Sequence, residues 1–286
     1  MSDAHALPSA APRQVIVSGA TGFIGQYVVP LLLQRGHRVV ALGRDKNKAA
    51  RMPWHAQVDF HCVDLRSQSF GFTPQPDAGL IHLAWSGLPD YRSLSHIEDN
   101  LPASCGLIRK LVESGVSTVL VTGTCQEYGM QDGPLDARTP TRPTTPYAIA
   151  KDTLRQYLQC LQGSTGFSLQ WARLFYMYGA GQNPRSILAQ LDQAIANGDA
   201  VFRMSGGEQL RDYLPVQEVA RRIVDRFDSG LDGPVNICSG KPISIRRLVE
   251  ERIEHVGSDI RIELGYYPYP DYEPMAFWGK NEDQQP

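Results

Sequence analysis

Tyr147 and Lys151 have the clearest capacity for acid–base chemistry in this chain. Pro146 precedes the pair, and a helix-compatible run, residues 152–161, follows it. On a helix, positions four apart share a face, so phenol and ammonium point the same way. A free phenol, with a pKa of ~10, is a poor proton donor or acceptor at neutral pH, and a neighbouring cation lowers that value. Lys151 is the cation at hand. A surface helix carrying Tyr and Lys at this spacing by chance would look the same, so the weight falls on the surroundings. Thr124 supplies a hydroxyl just past a strand-like run, residues 117–122, where it would share a sheet edge with Tyr147.

The elements that must position these side chains begin near the N-terminus. Gln14 to Ser18 reads as a short buried strand, and Gly19-x-x-Gly22-x-x-Gly25 follows at once. Residues 26–35 carry a helix pattern, Gly36 and His37 end it, and residues 38–42 form the next strand. This is a strand, glycine turn, helix, strand unit whose helix N-terminus faces the turn. Backbone N–H groups and the helix dipole there favour a diphosphate. Gly19 allows the tight turn, Gly22 close backbone approach, and Gly25 packing of helix on strand. An acidic residue at the end of the second strand would bind a ribose 2′-hydroxyl. This chain has Gly43 and Arg44 there, then Lys46 and Lys48. A guanidinium suits a 2′-phosphate, so the residues favour NADP(H) over NAD(H), with a solvated basic loop as the competing reading.

Further strands are expected at residues 58–63, 79–84, 117–122 and 168–174, with a helix at 100–114 capped by Asn100. Asp64, at the end of the third strand, either accepts from an adenine amino group or is a turn carboxylate. His82 reads as a core or supporting histidine, and residues 85–95 as an irregular loop facing a ligand. Later helices at 186–196, 217–228 and 244–256 alternate with short strands at 235–238 and 260–264. The fold class is α/β: a Rossmann-type doubly wound parallel sheet with a smaller, interwoven C-terminal substrate-binding α+β domain. Residues 13–175 form the dinucleotide-binding domain, with 212–238 returning to it. Residues 176–278 form the substrate region, and residues 1–12 and 279–286 are expected to be flexible tails.

Composition sets the bounds. A chain of 286 residues with 42% apolar content builds one large or two modest domains with a real core. A net charge of -2 offers no surface for nucleic acid or membrane. No apolar run approaches the ~18 residues of a membrane span. Five widely spaced cysteines without a Cys-x-x-Cys pair argue against a disulfide framework and a metal site. They point to a reducing, cytoplasmic compartment.

Taken together, the chain resembles the extended short-chain dehydrogenase/reductase family, in particular its nucleotide-sugar epimerases, dehydratases and 4-ketoreductases. The resemblance runs from about residue 15 to 278. It is carried by the Gly19–Gly25 turn, Asp64-Leu65, His82-Leu83-Ala84, Thr124 with Tyr128-Gly129, Tyr147 with Lys151, Arg173-Leu174-Phe175-Tyr176, Arg211-Asp212-Tyr213 and Asn236 to Gly240. It implies that Thr124, Tyr147 and Lys151 are catalytic. It implies cofactor contacts from Gly19, Thr21, Gly22, Phe23, Ile24, Gly25, Arg44, Asp64, Leu65, Leu83 and Ala84 besides the catalytic pair. Trp85, Cys125, Gln126, Tyr176 and Arg211 become substrate contacts, Arg211 on the diphosphate, and Phe202 or a nearby aromatic a contact to the base. A homodimer through the helices at 100–114 and 147–161 is also implied.

Two departures from the family pattern narrow the reaction. Sugar 4,6-dehydratases carry Asp-Glu after the catalytic Thr, where this chain has Cys125-Gln126, and an amide cannot give up and recover a proton as a carboxyl does. Many relatives have Asn where Tyr176 stands. The ending Glu273 to Trp278 resembles bacterial deoxysugar 4-ketoreductases. The expected reaction is NADPH-dependent reduction of the C4 ketone of a nucleotide-linked 4-keto-6-deoxy sugar. The alternatives are an NAD-dependent UDP-sugar 4-epimerase using the same three residues and a non-catalytic NADP sensor.

Overall fold

The computed structural model describes residues 11–66 and 70–280. The tails expected at 1–12 and 279–286 therefore fall largely outside the described residues. Residues 279 and 280 are no tail: Gly279 belongs to a strand, and the Lys280 N–H donates to the Leu135 carbonyl at 2.8 Å.

In chain order the elements are β1 (Gln14–Ser18), α1 (Gly25–Gln34), β2 (Arg38–Gly43), α2 (Lys46–Ala50), β3 (Asp59–Cys62), β4 (Gly79–His82), α3 (Leu101–Glu113), β5 (Thr118–Thr124), β6 (Gly133–Leu135) and α4 (Pro146–Thr165). They continue with β7 (Ser168–Leu174), β8 (Tyr176–Tyr178), α5 (Ile187–Asn197), β9 (Val201–Arg203), β10 (Leu210–Pro215), α6 (Val216–Ser229), β11 (Gly233–Ile237), β12 (Pro242–Ser244), α7 (Ile245–Val256), β13 (Arg261–Glu263) and β14 (Phe277–Gly279).

Seven parallel strands form the main sheet in the order β11-β7-β5-β4-β1-β2-β3. Helices cover both faces, which is why the strands read as continuous apolar runs rather than alternating ones. Alternation decides which face each residue serves. Val15 and Val17 pack with Val28, Leu32, Ile223 and Phe227 of α1 and α6. Ile16 packs with Leu107, Ile108, Leu154 and Leu158 of α3 and α4. Chain order reverses at β1, between β4 and β2, and a crevice opens at the carboxyl ends of the strands at such a reversal.

A second layer of short strands lies beside that edge. β10 pairs in parallel with β8 and antiparallel with β12, β9 pairs with β13, and β14 with β6. Most of their signals are too short to separate from loop, and the sequence revealed none of β6, β8, β9, β10, β12 and β14.

Three expectations need correction. β5 runs to Thr124, so that hydroxyl is the strand's last residue rather than one past it. Asn100 does not cap α3: it closes a wide helical turn, His96–Asn100, and its side chain bonds Ser86 and Ser95. Phe202, on β9, is buried with Leu191, Met204 and Val249 against α5 and α7 and does not line the cavity described below. An aromatic on a three-residue strand looks the same in sequence whether it stacks on a base or fills a core.

Candidate active site

Helix α4 sets the acid–base pair. The Thr145 hydroxyl accepts from the Ala148 N–H at 3.3 Å, Pro146 occupies the first turn, and Gly166 ends the helix in the left-handed region at φ 79°. Tyr147 thus sits in the first turn and Lys151 one turn on, both buried. The Tyr147 N–H donates to the Tyr91 carbonyl at 3.1 Å, tying α4 to the loop after β4.

Thr124 is held by a buried network. Glu127 Oε1 accepts from the Thr124 N–H at 2.8 Å, and Glu127 also accepts from Trp171 Nε1 and from Arg173 Nε, the latter at 2.7 Å. Burial pushes the Glu127 carboxyl up, and the Arg173 guanidinium with these N–H donors opposes that push. Gly123 leaves the room this network needs, because a Cβ there would lie 2.2 Å from Trp171 Nε1 and 2.4 Å from Glu127 Oε1.

The Tyr147 phenol and Thr124 line the same cavity. Burial pushes that phenol well above its ordinary value, with the Tyr91 phenol adding to the effect and the Thr124 hydroxyl opposing it. This corrects the expectation that Lys151 lowers it. Lys151 Nζ instead donates to the Thr122 carbonyl at 2.8 Å and lies 4.0 Å above the Trp85 ring. Burial drops the Lys151 ammonium to about 7. At that value the lysine is about half charged at neutral pH, and its nitrogen donates to the Thr122 carbonyl.

One cavity of about 940 Å³ gathers these groups. It is lined by Thr124, Tyr147 and Lys151, by Gly19, Thr21, Gly22, Phe23, Ile24 and Gly25 of the glycine turn, and by Arg44, Asp64, Leu65, Leu83 and Ala84 at the strand ends. Trp85, Cys125, Gln126, Tyr176 and Arg211 line it as well. Asp64, while lining the cavity, accepts from the Arg66 N–H at 3.0 Å and from its guanidinium, as a turn carboxylate does, and that guanidinium holds it down at about 2. Trp85 donates to His96 Nδ1 at 3.0 Å and packs against Tyr147 and Lys151. His82 bridges Ser18 and Ser104 behind the wall, and burial pushes it down to about 3, leaving it neutral.

The glycine turn fits a diphosphate. Gly19 has φ 74°, and a Cβ on Gly25 would lie 2.3 Å from the Gly19 carbonyl oxygen, so helix α1 starts tight against the turn. A Cβ on Gly22 would meet only that same oxygen, at 3.0 Å, so bare backbone faces the cavity ahead of the helix N-terminus.

The far wall adds to Arg211 residues that the sequence did not assign to the site. Residues alternate into and along β10, so Gln209, just before it, and Arg211 and Tyr213 within it all reach the cavity. Glu273, ahead of β14, joins them. Its Oε1 accepts from the Tyr176 hydroxyl and from Gln126 Nε2 at 3.3 Å, and its Oε2 from Arg211 Nη2 at 3.0 Å. Arg211 was found by its motif, and the alternate spacing about it could have flagged Gln209 and Tyr213. Glu273 was named only as the start of a family-like ending, with no role in the site.

A model of the NAD dependent epimerase/dehydratase family matches residues 15–238. The chain belongs to that family. It is 33% identical over 267 residues, 93% of this chain and 98% of the relative, to dTDP-6-deoxy-L-talose 4-dehydrogenase (NAD(+)) of Aggregatibacter actinomycetemcomitans. To UDP-glucose 4-epimerase of Halalkalibacterium halodurans it is 25% identical over 299 residues, 95% of this chain and 88% of the relative. A solved UDP-N-acetylglucosamine 4-epimerase from Methanobrevibacter ruminantium M1, in complex with UDP-N-acetylmuramic acid, superposes with a TM-score of 0.84 at 23% identity. That match covers 95% of this chain and 90% of the other, and it speaks for the fold. Family membership makes the chain an enzyme that works with a nicotinamide dinucleotide, for which the glycine turn is the natural seat.

Proposed function

We propose that this enzyme reduces the C4 ketone of a nucleotide-linked 4-keto-6-deoxy sugar with NADPH. The observation that carries the reading is the Tyr147 phenol, kept protonated by burial and sharing one cavity with Thr124 and the glycine turn. A protonated phenol is the form a proton donor needs. A bound reduced nicotinamide supplies a hydride to the sugar C4. Tyr147 gives its proton to the oxygen at C4, and the Thr124 hydroxyl holds that oxygen in line. Lys151 holds the nicotinamide ribose hydroxyls and, once protonated, stabilises the tyrosinate left behind.

Gln126 stands where a dehydratase carries its proton-cycling carboxyl, which supports reduction over elimination. The name of the Aggregatibacter relative fits the same chemistry run in reverse, oxidation at C4. That relative uses NAD(+). The case for NADPH here rests on Arg44 and Lys48, which line the cavity past β2, while Asp45 turns away to accept from the Lys48 N–H at 3.0 Å. A 4-epimerase, favoured by the likeness to UDP-glucose 4-epimerase, would use the same three residues and return the hydride to the other face of the sugar.

The test is cofactor oxidation over dTDP-, GDP- and CDP-linked 4-keto-6-deoxy sugars, with NADPH set against NADH. Net oxidation of NADPH on one member supports the reading. Silence across the panel, with a tightly held NAD released on denaturation, would favour the epimerase.

A further inference from the structure

The carboxylate that Gln126 lacks is present in the cavity all the same, delivered from a remote part of the chain. Glu273 Oε1 lies 3.3 Å from Gln126 Nε2, and the Gln126 N–H in turn reaches Thr124 Oγ1 at 3.3 Å. On its other side Glu273 Oε2 meets Arg211 Nη2 at 3.0 Å. Glu273 therefore stands between the Thr124–Tyr147 pair and Arg211. If the C4 oxygen sits at the first and the diphosphate near the second, this is the span of the hexose ring. We propose that Glu273 is a specificity-determining residue that accepts a hydrogen bond from a ring hydroxyl of the sugar. This rests on the reading of the site given above.

Three further observations support it. A carboxylate offers about four acceptor positions. Tyr176, Gln126 and Arg211 fill three, which leaves one on Oε2, in a residue that lines the cavity. The carboxylate is also held in place before any ligand arrives. Met275 O accepts from the Leu210 N–H at 2.9 Å and from Arg211 Nη1 at 3.2 Å, Ala276 O accepts from the Gly133 N–H at 2.8 Å, and Phe277 is buried. A preorganised acceptor among fixed donors discriminates well, because a ligand without the matching hydroxyl leaves it unpaired. Finally, the Arg211 ion pair and the Tyr176 hydrogen bond suit a fixed acceptor better than a group that must cycle a proton.

The plainer alternative is that Glu273 only balances the buried charge of Arg211. The two roles separate in calorimetric titrations of the NADPH-loaded enzyme with dTDP-glucose against dTDP, UDP-glucose against UDP, and GDP-mannose against GDP. The expectation is that wild type binds at least one nucleotide sugar more tightly than its diphosphate. Glu273→Gln should then weaken the nucleotide sugar by about 10- to 100-fold, the range for a hydrogen bond to a charged group, and the diphosphate by less than about threefold. Tyr176→Phe keeps the ring and removes one donor, and should weaken the sugar selectively by a smaller factor even if Glu273→Gln does not fold. Equal losses on sugar and diphosphate, no loss on either, or a wild type that gains nothing from the sugar would each overturn the assignment. These affinities need no turnover, so a wild type that reduces no keto sugar would sink ketoreduction without deciding this point.

Discussion

The two walls of the cavity are built by different means. The wall we assign to the cofactor is backbone: a glycine turn, the start of α1, and the residues at the ends of β1, β4 and β5. The wall we assign to the substrate is side chain: Gln126, Tyr176, Arg211, Tyr213 and Glu273, gathered from four separate stretches and joined by hydrogen bonds and a ring contact. A diphosphate common to a whole family is well served by main-chain N–H groups, which a change of side chain seldom removes. A sugar that differs from one relative to the next is better served by side chains, which can be exchanged without disturbing the sheet. Tyr147 and Thr124 stand where the walls meet.

The largest expected effect comes at that junction. Tyr147→Phe removes the proton donor and keeps the ring, so turnover should fall by ~10²- to 10⁴-fold while cofactor affinity, read by fluorescence titration, stays within a few-fold of wild type. A variant that turns over normally would remove Tyr147 from the chemistry. Next comes the backbone wall. Gly25→Ala drives a methyl into the Gly19 carbonyl, and overpacking of this kind costs about 1–3 kcal/mol, to be read in a denaturant melt along with lost cofactor saturation. If the melt and the cofactor affinity are both unchanged, the turn is looser than its geometry implies. The smallest effect belongs to the one side chain that tunes the backbone wall. Arg44→Asp should cut the preference for NADPH over NADH by about 10- to 100-fold, as expected for a lost charge-assisted bond to a phosphate. An unchanged ratio of kcat/KM for the two cofactors would return Arg44 to the solvated loop.

The same contrast explains what could be read from the sequence. The cofactor wall is nearly contiguous in the chain, so strand, glycine turn, helix and second strand declare themselves over residues 14–43 by period and by glycine spacing. Tyr147 and Lys151 are legible for the same reason, since one helix turn fixes their relation. What that spacing does not contain is the environment: burial, not Lys151, governs the Tyr147 phenol, and the direction of a lysine side chain depends on Thr122, far away in sequence. The substrate wall is long-range throughout. Arg211 was found by its motif, but its partner Glu273 is 62 residues on, and the pairing of two three-residue strands, β14 and β6, determines where it goes. Phe202 fails in the opposite sense, an aromatic assigned to a ligand that the packing of α5 and α7 claims for the core.

Isotope transfer from cofactor to sugar tests the central claim most directly. With C4-deuterated NADPH of the matching face and a nucleotide-linked 4-keto-6-deoxy sugar, the account predicts one deuterium at C4 of the product for each NADPH oxidised. A product that carries no label, or no oxidation of NADPH in the presence of the keto sugar, would contradict it.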